Sequence, residues 1–273
     1  MTAIALADSG TMFRRILRRM RRYPSLTLFV AGIPVVLMLL FVYVFGGTLG
    51  AGLPVVPGAT PGGGSLQGRE AYVAYVAPAI LLLAVVGAGQ GTAISVAMDM
   101  TAGIIARFRT MAIARSAVLA GHVLGSMVQA LLAAAIVLLV AVLIGFRPTT
   151  GPLAWLAAGG LLVLVAAAVS WLTVGMGMAA DSVETASNTP MILMLLPFLG
   201  SGFVPTASMP DPLRWFAEVQ PFTPIHETLR GLLLGTPMGD SWLVAVAWCV
   251  GISVLGYLWS RRLYERLPAR PAG

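Results

Sequence analysis

Residues 26–45 read LTLFVAGIPVVLMLLFVYVF: twenty positions without a charge, fourteen of them Leu, Ile, Val or Phe. A helix of about 20 apolar residues crosses the hydrocarbon core of a bilayer. At about −0.3 to −0.6 kcal/mol for each such residue near mid-membrane, insertion gains at most roughly 4–8 kcal/mol. No single misplaced polar group outweighs that. A cleaved signal peptide would have a shorter apolar core and a small-residue cleavage site. The run reads as a retained membrane anchor.

The rest of the chain repeats the pattern. Of 273 residues, 58% are hydrophobic and only 10% charged, against roughly a quarter charged in ordinary globular domains. A chain this short cannot hide that much apolar surface from water, so its solvent is lipid. Further apolar windows lie at Ala71–Met98, Ala117–Ile144, Leu153–Ala180, Thr189–Val204 and Trp242–Ser260. They predict an all-α membrane protein of six transmembrane helices in a single domain over 1–273. That domain has an amphipathic N-terminus (1–24), a six-span bundle (25–260) and a tail (261–273). The window at Thr189–Val204 is the shortest and carries Pro190 and Pro197.

The net charge of +7 comes from seventeen arginines and no lysine. Basic chains often bind nucleic acid, but these arginines lie between spans, which favours a topological role and no nucleic-acid partner. Six arginines precede the first span, three lie in the second-to-third loop and four in the tail, against Arg69, Arg147, Arg214 and Arg230 in the opposite loops. By the positive-inside rule both termini face the cytoplasm. The one cysteine, Cys249, excludes an internal disulfide and a cysteine metal cluster. Between Gly46 and Gly68, twelve of twenty-three residues are Gly or Pro, predicting a mobile external loop. In TMFRRILRRMRRYP (residues 11–24) the apolar residues Phe13, Ile16, Leu17 and Met20 share a stripe among six arginines. This is either a helix lying on anionic headgroups or a solvated basic tail.

The cytoplasmic loop GIIARFRTMAIARSAVLAG (103–121) interrupts apolar sequence with Arg107, Arg109 and Arg115. Ile104, Ile105, Phe108 and Met111 fall in one arc of a helical wheel, with Arg107 and Arg109 flanking it. A short helix parallel to the membrane, its guanidinium groups snorkelling to water, satisfies the pattern. Arg115 lies on the apolar side of that wheel, so the helix breaks near Ala112. An interfacial helix and a docking ridge for a partner both fit.

The stretch 103–125 resembles the cytoplasmic loop of ABC-2 type permeases, in particular the daunorubicin-resistance drug exporters. In these the pattern is Arg-Phe-Arg followed by Arg-Ser-Ala-Val and a glycine. GFVPTASMPDPLRWFAEVQPFTPIHETLRGLLLG (202–235) is similar to the external segment before their last span. Ala106 and Ala112 depart from the family's usual acidic residue and proline. The resemblance implies a permease whose loop helix couples to a separate ATPase subunit through Gly103, Arg107, Phe108, Arg109, Met111, Ile113 and Arg115. It implies two ATPase copies that bind the ATP and Mg²⁺, and a homodimer or a related second permease. It also implies external re-entrant helices before the last span. The absence of lysine agrees, because a Walker A loop needs one; the chain is expected to be no ATPase itself and to hold no cofactor.

In the external segment Glu218, His226, Glu227 and Arg230 are candidates for a gate, and cap or interface pairs are the plainer alternative. In the spans, Gln90, His122, Gln129 and Ser170 are the main polar residues, with Gln90 and Gln129 candidates for a substrate path. Each glutamine also suits a plain interhelical hydrogen bond. Gly87/Gly91 and Gly121/Gly125 have the spacing of close helix approach. Asp181 and Glu184 either cap the next helix or touch the ATPase. Rival readings fare worse. HETLR at 226–230 lacks the second histidine of a zinc protease motif. An ion-coupled or other non-ABC carrier would keep charges near mid-membrane, and no window centre has one.

Overall fold

The computed structural model describes residues 24–51, 66–103 and 115–266. The N-terminal basic stretch and residues 104–114 lie outside them. The first span is α1, Pro24–Leu40, which passes through a π-helical turn at Phe41–Phe45 into α2, Gly46–Ala51. The stretch from Gly46 expected as a loop is helical as far as Ala51, and its remainder, residues 52–65, lies outside the described residues. A side chain at Gly50 would overlap the Gly68 carbonyl, so glycine there lets the end of this helix lie on the start of the next.

Next come α3, Gly68–Thr101; α4, Arg115–Leu143; α5, Pro152–Ala179; and, last in the chain, α10, Ser241–Arg266. Among the described residues five helices are long and apolar enough to cross a membrane. The window Thr189–Val204 is not one of them. It belongs to a broken segment: α6, Val183–Asn188; α7, Met191–Leu195; then a 3-10 turn, Leu196–Leu199. Pro190 and Pro197 each lack the N–H that a continuous helix requires, and the chain breaks at both. The segment still runs antiparallel to α3. Gln90 meets Ser187, a side chain on Gly87 would reach Met194, and Tyr75 meets Ser201.

α3 is the central helix, enclosed over most of its length, whereas α1 and α10 expose wide apolar faces. In water such faces would be costly; against lipid they are ordinary surface. Packing depends on glycines that sequence spacing does not single out. A side chain on Gly89 would meet Val169 at 2.6 Å, and one on Gly177 would meet the Ala93 carbonyl at 2.5 Å. Gly175 receives the Trp259 ring, and Gly256 lies against the backbone at Trp171 and Leu172. These contacts make α5 and α10 a closely locked pair. Gly87 and Gly91, predicted as a close-approach pair, face open space or a distant methyl instead.

Tyr264 of α10 shares a cluster with Val96, Leu119, Val123, Val174 and Met178. The helix ends at 24, 101, 115, 179 and 266 therefore gather at one end of the bundle. The opposite end is built by α8, Asp211–Val219, and α9, Phe222–Leu234. Pro212 lies in the first turn of α8, whereas α9 begins at Phe222, after Pro221 and two residues ahead of Pro224. α9 packs against α3, α5 and α10, and its residues Ile225, His226, Leu229 and Leu233 are buried. Its last carbonyls, which no helical N–H can reach, are met by the α4–α5 connection. Thr150 Oγ1 donates to Leu232 O at 2.7 Å and Thr149 Oγ1 to Leu234 O at 3.1 Å. Gly235 then stops the helix at φ +72°.

Candidate functional site

Two polar sites lie along α3. The first is a cavity of about 490 Å³ toward the 101–115 end, within the usual size of small-molecule sites. Gly87, Gln90, Gly91, Ile94, Ser95 and Met98 line it from α3, with Thr92 beside them, and His122, Gly125, Ser126 and Gln129 from α4. Both sets repeat at three- and four-residue intervals, so each is one helical face. Val30, Ile33 and Pro34 of α1 close one flank; Ser187 and Met194 of the broken segment close the other.

Hydrogen bonds fix the polar wall. Gln90 Nε2 donates to Ser187 O at 2.9 Å, tying the broken segment to α3. Thr92 Oγ1 donates to Ser126 Oγ at 2.6 Å, and Ser170 Oγ donates to the same atom at 2.9 Å. Three helices thus share one buried hydroxyl. His122 Nε2 lies 3.3 Å from Asp99 Oδ2, with both side chains largely buried (11% and 13% exposed). Amide, imidazole and hydroxyl groups on one side and Val30, Ile33, Met98 and Met194 around them make a lining for an amphipathic guest. Gln90 and Gln129, chosen from sequence as path residues, both line this cavity.

The second site is at the opposite end. Arg230, on α9, donates to Ser201 O at 2.9 Å and to Tyr75 O at 3.4 Å. Its guanidinium lies 3.9 Å from the centre of the Tyr75 ring, while Tyr75 Oη donates to Ser201 O at 2.7 Å. The turn at residues 200–203 is thereby strapped to both α3 and α9. A side chain on Gly202 would meet His226 at 2.6 Å and Ala79 at 2.7 Å; one on Gly200 would meet Gln220 at 2.5 Å. Only glycine lets the strap pass this close. Both nitrogens of His226, the Tyr72 hydroxyl, the Ser201 hydroxyl, Gln220 Nε2 and Arg230 Nε are buried without a hydrogen-bond partner among the described residues.

The four gate candidates do not form one group. Glu227 accepts from Ser241 Oγ at 2.7 Å, joining α9 to α10. Glu218 pairs with Arg214 at 2.8 Å on the exposed face of α8, which holds the Arg214 guanidinium still more firmly protonated. Only His226 and Arg230 face the strap. Of the loop residues, Gly103 closes the exit from α3 at φ +68° and Arg115 opens α4; Arg107, Phe108, Arg109, Met111 and Ile113 lie outside the described residues. Ser182, rather than Asp181, caps α6, its Oγ accepting from Thr185 N at 3.1 Å. Sequence pattern does not single out Asp99, Ser126 or Tyr75, and Ser201 stands in LGSGF, where Leu199 replaces the glycine of a nucleophile motif. Asp99 sits one residue past the predicted span, and nothing in a one-dimensional pattern marks Ser126 or Tyr75.

Residues 9–234 match the family described as ABC-2 type transporter. The chain is 26% identical over 254 residues, 93% of its length and 83% of the relative's, to the daunorubicin resistance ABC transporter permease protein DrrB1 of Streptomyces coeruleorubidus. It is 22% identical over 180 residues, 66% of its length and 65% of the relative's, to a probable doxorubicin resistance ABC transporter permease protein DrrC of Mycobacterium tuberculosis. A family match spanning the central helix, the broken segment and both short helices of the opposite end settles the classification: this chain belongs to the ABC-2 type transporter family.

Proposed function

We propose that this chain is the membrane-spanning permease subunit of an ATP-driven exporter that moves an amphipathic drug-like or lipid-like molecule out of the cell. Both relatives carry drug-resistance permease names, and the cavity along α3 has the size and mixed lining for such a guest. The observation that carries the reading is that cavity, lined by Gln90 and Gln129 within a family of transporters. The chain supplies the path and not the engine. With no lysine in the whole sequence, it has no Walker A site, so ATP and Mg²⁺ belong to a partner ATPase, present in two copies beside a pair of permeases.

In this reading the helix ends at 24, 101, 115, 179 and 266 face the cytoplasm, as the arginine count requires. The broken segment supplies the sixth crossing, and α8 and α9 dip back from the outer face. Residues 103–115 dock on the ATPase through Arg107, Phe108 and Arg109. The strap held by Arg230 closes the outer end while the cavity is open below it.

The test is the pair Arg107→Glu and Arg109→Glu in one chain. ATP-dependent export from inverted vesicles falls to background while insertion and expression stay at the wild-type level. Export retained at the wild-type rate removes the docking assignment. A second measurement concerns the isolated chain: purified in detergent, it shows no ATP turnover, and turnover that tracks the pure chain would overturn the two-subunit scheme.

A further inference from the structure

The His122–Asp99 pair joins the cavity to the segment beyond it. His122 lines the cavity, on the same α4 face as Ser126 and Gln129. Its Nε2 reaches Asp99 on the neighbouring helix. Asp99 stands four residues before Gly103, the last described residue after α3, about 6 Å away at about 1.5 Å per residue. His122 stands seven residues after Arg115, where α4 begins. The pair therefore bridges the two helix ends from which residues 104–114 hang, and one of its members faces the space a guest would fill.

The surroundings make this bridge sensitive. Met98, the residue before Asp99, also lines the cavity, and its carbonyl accepts the last turns of α3, from Thr101 Oγ1 at 3.0 Å and Ala102 N at 2.9 Å. A guest large enough to fill the cavity touches His122 and Met98 together. Any displacement of the imidazole changes its reach to the carboxylate, and with it the angle between the ends of α3 and α4. A largely buried imidazole–carboxylate contact is directional, so it responds to a shift of a few tenths of an ångström more steeply than apolar packing does.

We propose that the His122–Asp99 bridge reports occupancy of the cavity to residues 104–114, so that a bound guest changes how the permease engages its ATPase. This rests on the export reading above. His122 and Asp99 act as positioning residues, and the transmitted quantity is a coupling between two binding events, reciprocal by thermodynamic necessity.

The test fills the cavity without needing the natural guest. In a Cys249→Ser background, Gln129→Cys is labelled with pyrene maleimide, placing a bulky apolar group in the cavity. The chain has two histidines, so a ¹³Cε1-histidine spectrum contains two resonances, one of which His122→Leu removes. That resonance is expected to move on labelling and on Asp99→Asn, while the His226 resonance stays. Affinity for the ATPase subunit, measured on full-length protein, changes about fivefold or more on labelling, the lower range for coupled sites. The response disappears in His122→Leu and returns in His122→Gln, whose amide N–H keeps a donor near Nε2. An unmoved His122 resonance overturns the proposal, and so does an affinity change that survives in His122→Leu. If the unlabelled permease binds no ATPase subunit, the export reading fails as well; if it binds one and labelling changes nothing, only the bridge fails.

Discussion

The two ends of α3 solve opposite problems with similar residues. Toward the 101–115 end, polar side chains surround open space, and those that join helices, Gln90, Thr92 and Ser126, find partners among themselves and the backbone. At the opposite end both His226 nitrogens, Gln220 Nε2 and the Tyr72 hydroxyl are buried without a hydrogen-bond partner among the described residues, and glycines at 200 and 202 allow even closer packing. One region leaves room for a guest; the other spends its contacts holding a turn shut. Buried donors without partners raise the free energy of the state that contains them. Water reaching these groups would relieve that cost, so the 200–203 turn is held by its charged and aromatic contacts to Arg230 and Tyr75 against an unfavourable polar term.

The comparison breaks most readily at the strap. Gly202→Val forces atoms into His226 and Ala79, and overpacking of this kind costs roughly 1–3 kcal/mol or more; thermal melting in detergent should drop well below wild type, and unchanged melting would show that the turn is looser than described. Arg230→Met removes the charged donor to Ser201 O and costs about 1.5–3 kcal/mol. It should raise leak of a small dye through reconstituted vesicles at the same time, which a merely structural loss would not do in the surviving folded fraction. At the other end, Ser126→Ala takes away the shared acceptor of Thr92 and Ser170, and the expected loss is about 0.6–1.7 kcal/mol, measured by the same melt. Gln129→Leu sharpens the contrast from the smallest effect: stability within about 0.5 kcal/mol of wild type, but an altered preference among transported amphipathic molecules in a competition assay. Equal preference would separate the cavity wall from guest recognition.

How much of this was readable beforehand follows the range of the interaction. Span positions depend on runs of neighbouring residues, and five long helices lie where the apolar windows put them, with ends shifted by a few residues. Pro190 and Pro197 marked the weak window as suspect, though not that it would divide into two short helices and a 3-10 turn. Helix pairing was not readable. Gly87 and Gly91 have the spacing of close approach, yet Gly89, Gly175, Gly177 and Gly256 are the ones that carry it between long helices, chosen by which face each helix turns inward. Nothing local fixes that rotation. The cavity was half visible: glutamine and histidine stand out in apolar sequence, whereas Ser126 and Thr92 pass for ordinary small residues. Asp99 was lost through a boundary error of a single turn, since α3 runs on to Thr101. The strap was invisible, because Tyr75, Ser201 and Arg230 are separated by 126 and 29 residues.

The flanks of the cavity differ mechanically. On one side stands α3, an unbroken helix of 34 residues; on the other are links of six and five residues with a proline at each joint. A load applied to such a chamber bends the jointed side first, as a door swings while its frame stays put. Met194 rides on the jointed side and Gln90 on the rigid one, so the 2.9 Å hydrogen bond from Gln90 to Ser187 is the contact that any bending at Pro190 must strain first.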